Sequence, residues 1–152
     1  ATGSVVIGGG PWFWAAPFER EGEFGGRGLP PMLPPQALEI RTKAGARQST
    51  TLVVVATDAT LTKSQAKRLA VMAQTGLARA IYPVHTPLDG DVVFAAATGR
   101  QPLGDPLSGV LELGATAANV VARAIARAVY EATALPFPDA LPSWRDSFAP
   151  RP

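Results

Sequence analysis

The chain has 152 residues, of which 47% are hydrophobic and 17% charged, a balance typical of one globular domain that excludes a disordered chain. It contains no cysteine and a single histidine, His85, so disulfides, zinc–thiolate centres and multi-histidine metal sites are excluded within it. A net charge of +2 is too small for a nucleic-acid-binding surface, and no apolar run reaches the roughly 18 residues of a membrane span. We therefore expect no cofactor, metal, nucleic-acid or membrane partner, and the lack of a visible targeting signal favours a cytoplasmic location.

The first forty residues predict little regular structure. Short strands are expected at residues 4–7 and 37–40, and an irregular loop rich in glycine, proline and charge lies between them at 19–35. The aromatic residues Trp12, Phe13 and Trp14 follow the first strand. We interpret them as core or subunit interface, with the lining of a substrate pocket as the alternative.

The middle of the chain carries the strongest signals. Residues 50–56 are apolar and β-branched on both faces, which predicts a central strand. Thr62 and Gln65 have the spacing of a capping box, so a helix is expected from there to Pro83. Its apolar stripe is formed by Ala66, Leu69, Ala70, Ala73, Leu77, Ala80 and Ile81.

The second half repeats the strand-then-helix order. A strand is predicted at residues 92–97, a loop at 99–114 and a helix at 116–133, followed by a proline-rich tail without helix. The expected buried face of this helix is Val120, Val121, Ala124, Ile125, Ala128 and Val129. The whole order predicts a single α/β or α+β domain over residues 1–152, with helices packed on a sheet.

Without cysteine, and with one histidine, amide hydrolysis would need a hydroxyl nucleophile activated by another group. A threonine at a newly cut chain end is one solution, because its own α-amine is the base. The sequence Ser49-Thr50-Thr51 joins a polar connector to the predicted central strand. A cut before Thr50 would create such an amine, although threonines of this kind also simply suit a strand.

A second candidate group precedes the next strand. Asp89 and Asp91 flank Gly90, and Asp-Gly is a favoured turn dipeptide, so a plain turn is one interpretation. The two carboxylates could also hold an ammonium group and orient a hydroxyl. His85 lies just upstream and is interpreted as a loop-packing residue or as part of a substrate pocket.

Several of these segments together resemble a known family. The chain is similar to the self-cleaving L-aminopeptidase/D-Ala-esterase/amidase (DmpA-like) family, and most of all to its nylon-oligomer endo-hydrolase (NylC) branch. The similar segments are residues 50–59, 61–70, 76–81, 83–91 and 97–99, extended by 13–15, 23–26 and 141–146.

The resemblance implies a layered αββα sandwich and a precursor that cuts itself in two. The bond cut would be Ser49–Thr50, so residues 1–49 would end the first fragment and 50–152 would form the second. Thr50 would be the nucleophile, with Asp89 and Asp91 as the acidic partners, whereas the spacing of the related aminopeptidases would select Thr51. Implied substrates are short linear amides: peptides, β-peptides or 6-aminohexanoate oligomers. Family members form tetramers, so a homo-oligomer is expected.

Two departures from the family pattern stand out. The residue before the cut bond is usually asparagine in this family, and here it is Ser49. The chain also resembles only the C-terminal half of the family's chains, and its lysines 43, 63 and 67 do not match the family's catalytic lysine, nor does an asparagine match. A further segment or another subunit would therefore supply those groups. The alternatives are an inactive fragment or assembly subunit, and acyl transfer like that of ornithine acetyltransferases.

Overall fold

A computed structural model describes residues 1–40 and 50–149. The strands are β1 (Leu52–Ala59) and β2 (Val92–Gln101), and the helices are α1 (Lys63–Ala80), α2 (Pro106–Glu131) and α3 (Trp144–Phe148). Three single 3₁₀ turns lie at Ile7–Gly9, Ala16–Phe18 and Pro35–Leu38. The mixture of helix and strand agrees with the predicted α/β class. Ser49 lies outside the described residues.

β1, α1 and β2 form one strand–helix–strand unit in which the two strands are parallel. Leu52 pairs with Val92, and the register continues without a shift to Thr57. The helix between them begins as predicted: the Thr62 hydroxyl accepts from the Gln65 amide, and the Gln65 side chain accepts from the Thr62 amide. This capping box fixes where the chain leaves β1 and enters α1.

The core lies where α1 and α2 pack together beneath the strands. α1 buries Leu69, Ala73 and Leu77, as its apolar stripe predicts. α2 buries a face that only partly matches the one expected: Val121 is buried as predicted, together with Gly114, Ala117, Ala118, Ala122 and Ala126. These small side chains let the two helices approach closely, and a Cβ at Gly76 of α1 would lie 2.5 Å from the Ala118 carbonyl oxygen.

Other residues of the face of α2 that was predicted to be buried border an apolar groove of about 420 Å³. Val120 is 47% exposed, and Ala124, Ile125, Ala128 and Val129 line the groove beside β1. By length and mean hydropathy α2 could cross a membrane, but a helix of a packed core passes the same test. Its contact with α1 is that of a core helix.

The sheet has one covered and one open face. Val53 and Val55 pack towards the helices, whereas Leu52, Val54 and Phe94 on the other face are 71%, 70% and 57% exposed. The prediction of a strand covered on both faces is therefore wrong for the described residues, because nothing in them lies on the outer face. Parallel strands usually have both faces covered.

Other predicted elements need correction. Residues 4–7 form only two isolated bridges, Ser4 to Tyr82 and Val6 to Phe13, before the chain turns at Ile7. Instead of a strand at 37–40, Ala37 and Leu38 lie in the 3₁₀ turn Pro35–Leu38, since proline favours the first position of a helical turn. The predicted loop 99–114 contains the end of β2 and the first turns of α2, which Asp105 caps.

The tail also contains a helix that was not predicted. Ser143 and Asp146 form a capping box at the start of α3, the same device that begins α1. The helix places Trp144 at the centre of an aromatic group that we call the Trp144 cluster. Its members are Phe13, Phe24, Tyr130, Trp144 and Phe148.

Candidate functional site

The loop that leads into β2 forms a tight polar turn, residues 85–91, which we call the acid turn. His85 begins it with a positive φ of 56°, and the Asp89 amide donates to the Thr86 carbonyl oxygen over 3.0 Å. The turn ends where the Val92 amide donates to the Thr51 carbonyl oxygen, so it is fixed directly to the head of β1. It therefore brings both predicted acidic residues beside the predicted nucleophile segment.

Asp89 uses both carboxylate oxygens to hold main chain. Oδ1 accepts from the Thr2 amide at 2.7 Å, and Oδ2 accepts from the Thr86 amide at 2.9 Å. Burial raises the pKa of this carboxyl, but the hydrogen bonds from Thr86 and Thr2 outweigh it, so the pKa lies below its ordinary value. Asp89 is thus an ionised anchor that joins the acid turn to the N-terminal segment.

Asp91 is more deeply buried, with 2% of its side chain exposed. Its Oδ1 accepts from the Thr51 amide at 2.9 Å and from the main-chain nitrogen of Ala1 at 2.6 Å. Its Oδ2 makes no hydrogen bond with any residue that the structure describes, and His85 Nδ1 lies 3.7 Å away. A buried carboxylate oxygen without a donor is costly, so this atom marks a place where another donor would bind.

Thr50 and Thr51 differ sharply in their surroundings. The Thr51 hydroxyl accepts from the Ala1 nitrogen at 2.9 Å, and its amide is held by Asp91. Thr50 is exposed, and its hydroxyl lies against the main chain of Gly90, between the two acids. The structure therefore anchors the main chain of Thr51 at Asp91 and leaves Thr50 as the exposed residue of the pair.

The four residues predicted for a substrate pocket lie in different surroundings. Trp14 lines a cavity of about 350 Å³ together with Tyr82, whose ring centroid lies 5.6 Å away, and with Thr2 and Pro83 near the acid turn. Phe13 is instead a core residue, 3% exposed and stacked on Trp144. Trp12 is half-buried over Gly10.

His85 is separate from this cavity wall and belongs to the acid turn, with 36% of its side chain exposed beside Asp91. Within residues 1–40 and 50–149, no three histidine or acidic side chains are grouped so as to hold a metal ion. The chemistry available at the turn is that of a hydroxyl, two carboxylates and an imidazole.

Sequence reasoning missed the polar partners that build the site. Thr2 and Thr86 hold Asp89, and the Ala1 nitrogen joins Asp91 to Thr51. The contacts of Thr2 with Asp89 and of Ala1 with Asp91 join positions 87 and 90 residues apart, and isolated threonines carry no local signal. The local signal was the Asp-Gly-Asp sequence itself, which predicted a turn but did not identify the residues that donate hydrogen bonds to it.

Comparisons with known proteins identify similar chains. Residues 8–140 match the family model described as peptidase family S58. An uncharacterized aminopeptidase of Mycobacterium tuberculosis and one of Mycobacterium bovis are each 36% identical, over 97% of this chain and 45% of theirs. An uncharacterized aminopeptidase of Mycobacterium leprae is 48% identical over 55% of this chain and 26% of its own. The chain thus spans about half the length of the first of these curated relatives.

Proposed function

The chain belongs to peptidase family S58, and on that premise we propose that it forms part of a self-processing amide hydrolase with Thr50 as nucleophile. The observation that carries the proposal is the position of the exposed residue Thr50 at the head of β1, with its hydroxyl beside Gly90, between Asp89 and Asp91. Thr51 is the weaker candidate because Asp91 and Val92 hold its main chain at the start of the strand.

The first step of the proposal is self-cleavage. Thr50 Oγ attacks the carbonyl carbon of Ser49, the C–N bond to Thr50 breaks as a C–O ester forms, and the hydroxyl proton moves to the Thr50 nitrogen. Water then hydrolyses the ester, giving a Ser49 carboxylate and restoring the hydroxyl on a Thr50 with a free α-amine. The products would be residues 1–49, as the end of one fragment, and residues 50–152.

The second step uses that new amine. A free α-amine has an ordinary pKa of about 7.7–8.0, so near neutral pH it can take the hydroxyl proton while Thr50 Oγ attacks a substrate amide. The amine later returns the proton to the leaving nitrogen, and water removes the acyl group. We assign Asp91 Oδ2 as an acceptor for the amine, and Asp89 as the anchor of the turn.

Short linear amides are the substrates that we propose. The cavity beside Trp14 and Tyr82 is also lined by Thr2, whose amide donates to Asp89 of the acid turn, so we assign it to the substrate chain. The names of the relatives favour N-terminal residues of peptides, and the resemblance to the nylon-oligomer branch adds 6-aminohexanoate oligomers.

Hydrolysis also requires hydrogen-bond donors to the developing oxyanion, and each such donor raises the rate on the order of 10²–10³-fold. The matched relatives are about twice as long as this chain, so we propose that another segment or subunit of a homo-oligomer, a tetramer by resemblance, supplies a lysine and an amide. Lys63 and Lys67 lie on α1, and Lys43 lies outside the described residues.

The test compares wild type, Thr50→Ala and Thr51→Ala in the full protein that carries this chain. Each is incubated with L-alanine p-nitroanilide and with a linear 6-aminohexanoate trimer, and product is measured by absorbance and mass. We expect no product from Thr50→Ala and measurable product from Thr51→Ala. Equal turnover by wild type and Thr50→Ala, or none by wild type, would refute the proposal. Product only from N-acetylornithine would instead favour acyl transfer.

A further inference from the structure

We propose that Gly90 is a positioning residue: its missing side chain makes the space in which the Thr50 hydroxyl is seated. The proposal rests on the function proposed above, since it assigns a role relative to Thr50. A Cβ on Gly90 would lie 2.7 Å from Thr50 Oγ1, closer than the 3.0 Å below which one of the two groups must shift. Thr50 Cβ and Cγ2, at 3.8 and 3.9 Å, would be in ordinary contact.

The main chain does not itself require glycine at this position. The φ of Gly90 lies outside the left-handed region, unlike that of Gly99 or Gly104, so an alanine could adopt the same backbone conformation. Among the described residues, the close obstacle is therefore the hydroxyl oxygen of Thr50. This distinguishes Gly90 from Gly109, where an added Cβ would meet a main-chain oxygen, that of Leu103, at 2.6 Å.

The turn cannot move aside to make room for a side chain. Asp89 is held on one side of Gly90 by the amides of Thr2 and Thr86, and Asp91 is held on the other side by the amide of Thr51. The head of β1 is equally fixed, because the Val92 amide donates to Thr51. The Thr50 side chain would therefore have to rotate about χ1 to relieve the contact.

Such a rotation moves the reacting atom. Threonine has few χ1 conformations because it is β-branched, so the hydroxyl would pass to another staggered position, away from the turn. A misplacement of about 1 Å in a reacting group can lower a rate on the order of 10²-fold. Gly90→Ala should therefore slow the reaction of Thr50 while leaving the fold intact.

The experiment compares wild type and Gly90→Ala in the full protein. Self-cleavage before Thr50 is followed over time by intact mass. The χ1 angle of Thr50 is measured from three-bond NMR couplings in the uncut chain. We expect Gly90→Ala to cleave on the order of 100-fold more slowly with a changed χ1. A double variant, Thr50→Ala with Gly90→Ala, should fold like Thr50→Ala alone, because the oxygen that the Cβ would meet is gone.

The outcomes separate this inference from the proposed function. If wild type cleaves before Thr50, and Gly90→Ala cleaves equally fast with unchanged χ1, Gly90 has no positioning role while the function stands. If wild type does not cleave there, the function proposed for Thr50 fails, and the couplings still decide whether Gly90 sets its side-chain position. A double variant that unfolds would show that glycine is needed for another reason, and would overturn the inference.

Discussion

The acid turn and the Trp144 cluster both join distant parts of the chain, and each contains a buried polar atom with no hydrogen-bond partner among the described residues. In the cluster this atom is Trp144 Nε1, an uncharged donor surrounded by rings. In the turn it is Asp91 Oδ2, part of a carboxylate. Burial of a carboxylate oxygen without a donor costs more than burial of an indole nitrogen without an acceptor, although the turn lies nearer the surface.

The difference separates a structural region from a functional one. The cluster gains stability from ring packing that easily exceeds the loss of one indole hydrogen bond. The turn contains a carboxylate that adds little packing, and it lies beside the exposed residue Thr50. Unfavourable features of this kind concentrate where function requires them. Substitutions in the acid turn should accordingly lower activity, and substitutions in the Trp144 cluster should lower stability.

The largest effect is expected from Asp91→Asn. Asparagine keeps an oxygen that can accept from the Thr51 amide, so the fold should be retained, but the charge that would hold the Thr50 amine is lost. We expect turnover to fall on the order of 10²–10⁴-fold, the range of general acid–base contributions. The measurement is turnover per folded molecule, with the exposed Asp58→Asn as the matched control. Equal turnover by the two variants would remove Asp91 from the mechanism.

Trp144→Ala should have the opposite effect to Asp91→Asn: lower stability with little change in turnover. Removal of a ring that contacts Phe13, Tyr130 and Phe148 should lower the free energy of unfolding by about 3–5 kcal/mol. Turnover per folded molecule should stay near that of wild type. Urea denaturation measures the first quantity, and Phe137→Ala, at a ring that is 56% exposed, is the control. A fall in turnover without a loss of stability would contradict the structural assignment.

The smallest effect is expected from Asp89→Asn, which keeps one of the two accepting oxygens and replaces the other with an amide nitrogen. A loss of about 1 kcal/mol in the free energy of unfolding is expected at pH 7. Because the pKa of Asp89 in the folded chain lies below its ordinary 3.8, its ionised form stabilises the fold above that pH, and this contribution is lost as the pH falls through the folded value. Wild type should therefore lose its advantage over Asp89→Asn in acid; an advantage independent of pH would refute the anchor role.

Local signals predicted the local parts of this molecule. The capping box at Thr62, the stripe of α1 and the two strands are all set by residues close in sequence, and the structure confirms them. The buried face of α2 was predicted only in part: Val121 is buried as expected, but the small residues Gly114, Ala117 and Ala118 are also buried, and Val120 is exposed. Hydrophobicity alone does not indicate that two helices approach closely.

The site was predictable in part for the same reason. The Asp-Gly-Asp turn and the threonine pair are local patterns, and the structure brings them together at the head of β1. Which threonine is anchored depends on Ala1 and Asp91, and the space at Gly90 depends on Thr50, forty residues away. Contacts of this range follow from the fold and are not encoded in either segment alone.

Self-cleavage tests the central claim most directly. The full protein is purified, incubated at neutral pH, and analysed by intact mass and N-terminal sequencing, with Thr50→Ala in parallel. The account predicts a new fragment whose first residue is Thr50 in wild type, and an uncut chain in the variant. A wild-type chain that stays intact through this region while it hydrolyses amides, or a cut that persists in Thr50→Ala, would contradict it.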